Sequence, residues 1–193
     1  MGYLKYVRKL WEKPKQNLGS IWKERLIAWR EEPVTVRIEY STRPDRARSL
    51  GYRAKPGIIL VRQRVDRGGH VRPHELGGRR PKHNKKRLDL GISYQVIAEQ
   101  RAAKPFPNCE VLNSYWVGKD GVHYWYEVIL IDKSHPVIKA DPTLRWITEP
   151  QHRGRIYRGL TAAGKRSRGI LTNKGKGAEK NRPSLRAHSR LHK

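Results

Sequence analysis

The densest chemistry in this sequence is cationic. Between Asp66 and Arg87 lie Arg67, Arg72, Arg79, Arg80, Lys82, Lys85, Lys86 and Arg87, with glycine pairs at Gly68-Gly69 and Gly77-Gly78. Guanidinium forks match phosphate oxygens two at a time, and glycine lets a backbone approach a surface closely. The stretch has neither a helical nor a strand period. A structureless loop of about 20 residues is rare in a compact domain unless it is functional or disordered. Contact with nucleic acid is the expectation here. Two further groups have the same character: Arg43, Arg46, Arg48, Arg53 and Lys55 surround Tyr52, and Arg153, Arg155, Arg158, Lys165, Arg166, Arg168, Lys174 and Lys176 follow Gln151.

Other chemistries find less support. Gly159, Gly164 and Lys165 match most of a phosphate-binding loop, but Arg166 stands where Ser or Thr must hold a magnesium ion. No apolar strand precedes them, so nucleotide hydrolysis is not expected. His70 and His74 are four apart with Pro73 between them, which works against a helical pair of metal ligands. With Cys109 alone there is no zinc ribbon, and no His-Glu-x-x-His pattern occurs. Neither a metal nor a cofactor is expected. Ser134 and His135 are adjacent, which says nothing of a nucleophile and base in space; His135 before Pro136 is read as shaping a turn. Cys109 is read as a small hydrophobe beside a strand. No acid–base pair stands out among 17 carboxylates, so the chain is not expected to be an enzyme.

The charge has a plan. Residues 1–87 carry 24 Lys/Arg against 8 Asp/Glu, residues 88–150 carry 6 against 8, and residues 151–193 carry 13 against 1, for +26 overall. A near-neutral centre with basic flanks and a pI near 10.7 points to a polyanionic partner, nucleic acid before an anionic membrane. No apolar run approaches the roughly 18 residues of a membrane span, and Lys5, Arg8 and Lys9 interrupt any signal-peptide core. A lone cysteine fits a reducing compartment. The expectation is a soluble, intracellular protein without a membrane partner.

The elements that must hold these cations follow from periodicity. Val111–Val117 and Val122–Ile131, joined through Gly118-Lys119-Asp120-Gly121, predict a hairpin. On its second strand Val122, Tyr124, Tyr126, Val128 and Leu130 share one face, with Trp125, Ile129 and Ile131 on the other. A strand apolar on both sides belongs in the middle of a layered body. Met1–Lys13 predicts a short helix ended by Pro14, and Gly19–Glu31 a longer one whose Leu18, Trp22, Leu26 and Trp29 pack inward. Val34–Tyr40 predicts a strand with Val34, Val36, Ile38 and Tyr40 inward. Ser41–Pro56 reads as a loop, and Gly57–Val65 as a strand with Ile59, Val61 and Val65 on one side and Arg62 and Arg64 on an exposed, cationic other side. Leu90–Lys104 predicts a helix capped by Ser93 with Val96, Ile97 and Ala103 inward, and Pro136–Ala140 and Pro142–Ile147 predict short turns or helices, Trp146 covering the sheet edge. From Gln151 the few apolar residues look too sparse to hold the chain without an external partner.

The fold class expected is α+β: a small body with an antiparallel sheet and packed helices, a long basic loop and a C-terminal tail. Its divisions are 1–33 (helices packing on the body and on RNA), 34–150 (the body, with basic loop 66–87) and 151–193 (basic extension).

These stretches carry a resemblance. Thr42-Arg43-Pro44-Asp45-Arg46-Ala47-Arg48 with Leu50-Gly51-Tyr52-Arg53-Ala54-Lys55, then Arg67-Gly68-Gly69, Leu112–Val117, Glu127–Asp132 and Arg158–Lys165 occur in the order of the large-subunit ribosomal protein L-fifteen family of the archaeal and eukaryotic type. The chain resembles that family from Met1 to about Gly169. The resemblance implies a structural constituent of the large ribosomal subunit, cytoplasmic, not a homo-oligomer and without catalysis of its own. Large-subunit rRNA and neighbouring ribosomal proteins would be its partners, and long extensions would thread into the RNA. The competing binding-class reading is an architectural DNA-binding protein.

Overall fold

The structure, a computed structural model, describes residues 2–69, 77–78, 91–174 and 176–177. Four strands form one antiparallel sheet in the order β1-β2-β4-β3: β1 Thr35–Ile38, β2 Ile58–Asp66, β3 Cys109–Lys119 and β4 His123–Asp132. The expected hairpin is β3–β4, and its doubly apolar strand β4 runs between β2 and β3. Asp120 closes the turn, its Oδ1 accepting from the backbone N–H of Val122 (2.7 Å) and of His123 (2.5 Å). Burial works against ionisation there, but these donors and the Arg30 guanidinium prevail and hold the carboxyl down to about 2.

Each sheet face carries its own core. On one face Leu60, Tyr115, Val117, Trp125 and Ile129 meet Trp11, Trp22, Leu26 and Trp29. Three of these come from helix α3 (Gly19–Glu31), which follows α1 (Leu4–Leu10) and α2 (Pro14–Asn17). The expected inward stripe of α3 is thus its buried stripe. Pro14 does not merely stop a helix; at the first helical position its missing N–H costs nothing, so it opens α2. The same logic puts α4 (Pro44–Ser49) inside the stretch expected to be a loop, with Ala47 fully buried.

Because α3 lies over this face, Arg62 is not the solvent-facing cation expected. Glu32 grips it in a fork (2.7 and 3.1 Å) and its guanidinium lies 4.7 Å from the Trp29 ring centroid. Arg64 donates to the Arg30 carbonyl. Val34 and Tyr40, expected inward, are 45% and 84% exposed, since edge strand β1 is only four residues long and both lie beyond its ends.

On the other face Val61, Val111, Val128 and Leu130 pack on Val96 and Ala102 of α5 (Tyr94–Ala103), with Val65, Ala98 and Tyr126 alongside. The centre of the α5 stripe is Ala98, Glu99 and Ala102 rather than Ile97 and Ala103, and Ser93 holds the capping position without its side chain bonding the helix. α6 (Pro136–Ala140) and a 3₁₀ turn at Arg145–Thr148 bring Ile138, Leu144 and Ile147 against Ile131, with Trp146 packed on them. His135 Nδ1 accepts from the Val137 N–H, which makes it the expected turn-shaper, and Cys109, expected beside a strand, is free, buried and the first residue of β3 itself.

The chain beyond Gln151 differs from expectation. Ile156 and Ala163 enter the same core as Val61, Val96 and Val128, and Thr161 is fully buried. Helix α7 (Ala162–Ser167) starts at Thr161, whose Oγ1 accepts from the Gly164 N–H. Polar bonds supply what apolar residues are too few to provide. Gly159 and Gly164 are the crossing that permits this: a Cβ on Gly164 would lie 2.7 Å from the Gly159 Cα. The phosphate-loop look-alike is a close backbone contact.

Candidate nucleic-acid interface

Two kinds of arginine emerge from the expected RNA-lining set. Arg46, Arg48, Arg53 and Lys55 project from α4 and the turn after it, beside half-buried Tyr52. Lys165 and Arg166 project from α7, and Arg153, Lys174 and Lys176 are also exposed. Lys55 is paired with Asp141 at 2.8 Å; with Thr143 it holds that carboxyl well below the usual carboxylate range. Arg48 lies 5.9 Å from the Tyr3 ring centroid. Arg67 donates to the Asp120 carbonyl (2.6 Å) and lies over Tyr124. Arg158 ties the carbonyls of Gln151 and Arg153, and Arg168 reaches that of Arg158. Arg72, Arg79, Arg80, Lys82, Lys85, Lys86 and Arg87 lie outside the described residues, as do His70 and His74.

Arg43 and Arg155 turn inward, and the reason is the sheet. The register of β3 on β4 slips between Val111 and Asn113 and again between Trp116 and Gly118. Each such bulge leaves a residue out of the ladder. Arg155 Nη1 donates to the carbonyls of Val111 (2.6 Å) and Leu112 (3.2 Å) at the first. Arg43 Nη1 donates to the Trp116 carbonyl (3.2 Å) at the second and stacks 4.7 Å from Trp11. Burial lowers the pKa of both guanidinium groups. Neither role was legible in the sequence, because a bulge depends on the partner strand.

Two buried carboxylates brace the same region. Glu127 accepts from the Tyr115 hydroxyl (2.6 Å) and from the Thr42 backbone N–H and hydroxyl. That anchors the loop entering α4. Glu99 accepts from Ser114 Oγ and Thr161 Oγ1, joining α5, β3 and the segment before α7. Among the described residues no cluster of three or more His, Cys, Asp or Glu could hold a metal ion, and no helix is long and apolar enough to cross a membrane.

The exposed cations therefore stand on two mounts, α4 and α7, fixed to opposite faces of one sheet. The family model described as "Ribosomal L15" matches residues 2–188. The chain belongs to that ribosomal protein family. Members to which it is similar include the large ribosomal subunit protein eL15 of Methanocella arvoryzae, 54% identical over 187 residues, covering 96% of this chain and 95% of that protein. The eL15 protein of Thermoplasma volcanium is 52% identical over 189 residues, covering 96% and 94%. The family read from the motifs is thus the family found.

Proposed function

We propose that the chain is a structural constituent of the large ribosomal subunit that binds and stabilises large-subunit rRNA in the cytoplasm, with no catalytic step of its own. One observation carries the reading beyond family membership. Arg46, Arg53, Lys165 and Arg166 are exposed and make no side-chain hydrogen bond or ion pair among the described residues, although carboxylates hold Lys55, Arg62 and Lys133. Unpaired cations on rigid mounts suit phosphate oxygens. Arg43 and Arg155 serve by holding the mounts. Residues 1–33 pack on the body and RNA, and the basic loop 66–87 and the basic extension 151–193 contribute cations to phosphate contact.

Sedimentation of lysate through a sucrose gradient after a moderate salt wash tests this. The protein is expected in the large-subunit fraction. Its absence there, with equal affinity for duplex DNA and folded rRNA, would replace the reading with an architectural DNA-binding one.

A further inference from the structure

Between the start of α5, the first half of β4 and α7 lies a pocket of about 480 Å³, within the roughly 300–1,000 Å³ usual for ligand sites. Its wall is a ladder of tyrosines: Tyr94 and Tyr124 stack with centroids 5.1 Å apart, and Tyr124 and Tyr126 with centroids 6.1 Å apart. The ladder is stiff, because the Tyr94 hydroxyl accepts from the Gly68 N–H (2.9 Å) and donates to the Gly68 carbonyl (3.1 Å). Arg166 stands on the rim, and among the described residues no carboxylate lines the cavity. Helix α5 begins there without a side-chain cap or an acidic residue in its first turn; the Ser93 N–H donates to Ser167 Oγ (2.9 Å), and the N–H groups after it form the positive end of the helix.

Tyr126 is the second, independent sign of a ligand. The residue as a whole is 8% exposed and lines the pocket, and its hydroxyl, which solvent reaches, has no hydrogen-bond partner among the described residues. Burial, then the neighbouring Tyr124 and Tyr94, push this phenol up to about 12, so it stays a donor at neutral pH. A flat aromatic platform, one unused donor, a cation and a helix start without a charged cap, with no anion among the described residues, match the parts of a nucleotide. An aliphatic peptide side chain would use none of the polar groups, and a bare phosphate would not use the rings.

We propose that this pocket receives one unpaired RNA nucleotide, its base against the tyrosine ladder and the Tyr126 hydroxyl, its phosphate at Arg166 and the start of α5. The proposal rests on the rRNA-binding reading and specifies one contact within it: single-stranded RNA is recognised by stacking splayed bases on aromatic rings.

The test uses the full chain with a short mixed-sequence single-stranded RNA and the same sequence as a duplex. Ultraviolet crosslinking followed by mass spectrometry is expected to place the single strand on the peptide holding Tyr124 and Tyr126. Tyr124→Leu is expected to weaken single-strand binding by about tenfold, and to leave duplex binding unchanged. Tyr126→Phe keeps the ring, so it guards against loss of folding; it is expected to weaken the single strand alone, by a smaller factor. Crosslinks only at other peptides, or equal loss for both RNA forms, overturn the pocket. If the protein sediments with the large subunit while the pocket stays unlabelled, this inference alone fails; if it sediments elsewhere and binds neither RNA, both readings fail.

Discussion

Glu99 shows how much one side chain carries. It is fully buried, and its two hydroxyl donors, Ser114 at 2.5 Å and Thr161 at 2.7 Å, come from different elements. Burial outweighs these bonds and the nearby Arg155 charge, pushing the carboxyl from 4.5 up to about 7. The folded chain then binds a proton that the unfolded chain has released across that window. Stability from this site is full below pH 4.5 and declines as pH rises towards about 7. A shift of this size corresponds to about 3 kcal/mol. Glu99→Gln mimics the neutral form, so its urea-unfolding free energy is expected to match the parent at pH 4 and to exceed it at pH 8. Parallel behaviour at both pH values would refute the assignment, since other titrating groups cancel in the comparison.

The two kinds of arginine separate at the same scale. Arg155→Ala leaves carbonyls at the first bulge without their donor, and the expected cost is about 1–3 kcal/mol in urea unfolding. Arg46→Ala and Arg53→Ala leave stability within about 0.5 kcal/mol. Their effect is expected in RNA affinity, measured by filter binding. Equal stability losses in all three variants would erase the distinction between mount and contact.

Among the elements, close approach decides more than propensity. Gly118 lies under α3, where an added Cβ would come within 2.9 Å of the Trp29 ring and 3.2 Å of Leu26. Gly164 would meet the backbone of Gly159, which cannot swing aside as a side chain can. Gly164→Ala is therefore expected to cost about 1–3 kcal/mol, seen as a lower urea midpoint with an unchanged slope. A midpoint at the parental value would show that α7 and the Gly159 turn are not so tightly joined. The elements legible in the sequence were those whose partner is implied by their own pattern. Trp22, Leu26 and Trp29 announce a buried helix face, and the double apolar alternation of Tyr124–Ile131 announces a central strand. The segment from Arg153 to Arg168 escaped because apolar counting sees only Ile156, Tyr157 and Leu160. Its hold on the body is polar and long-range: Thr161 to Glu99, Arg155 to Val111, the Gly154 N–H to Glu110. The tyrosine ladder escaped for a related reason, since its third ring, Tyr94, is brought in by another element.

At the scale of the whole molecule, +26 on 193 residues must be reconciled with a folded body. The body does this by pairing cations internally where they brace it and leaving others outward on α4 and α7. Each phosphate neutralised releases counterions, so the logarithm of rRNA affinity is expected to fall against the logarithm of salt concentration with a slope of about −0.7 to −0.9 per contact. Replacing Arg46, Arg53, Lys165 and Arg166 together by Ala should make that slope shallower by roughly three. A slope unmoved by the quadruple change would place the phosphate contacts elsewhere. The basic flanks were legible from composition alone; which cations are spent within the fold was not.

The seat of Ile156 and Ala163 beside Val61, Val96 and Val128 sets an order of events during synthesis. A nascent chain that has released only its first four strands carries an open apolar seam along α5. The residues that close it are translated after all four strands, so the seam stays adhesive until α7 emerges.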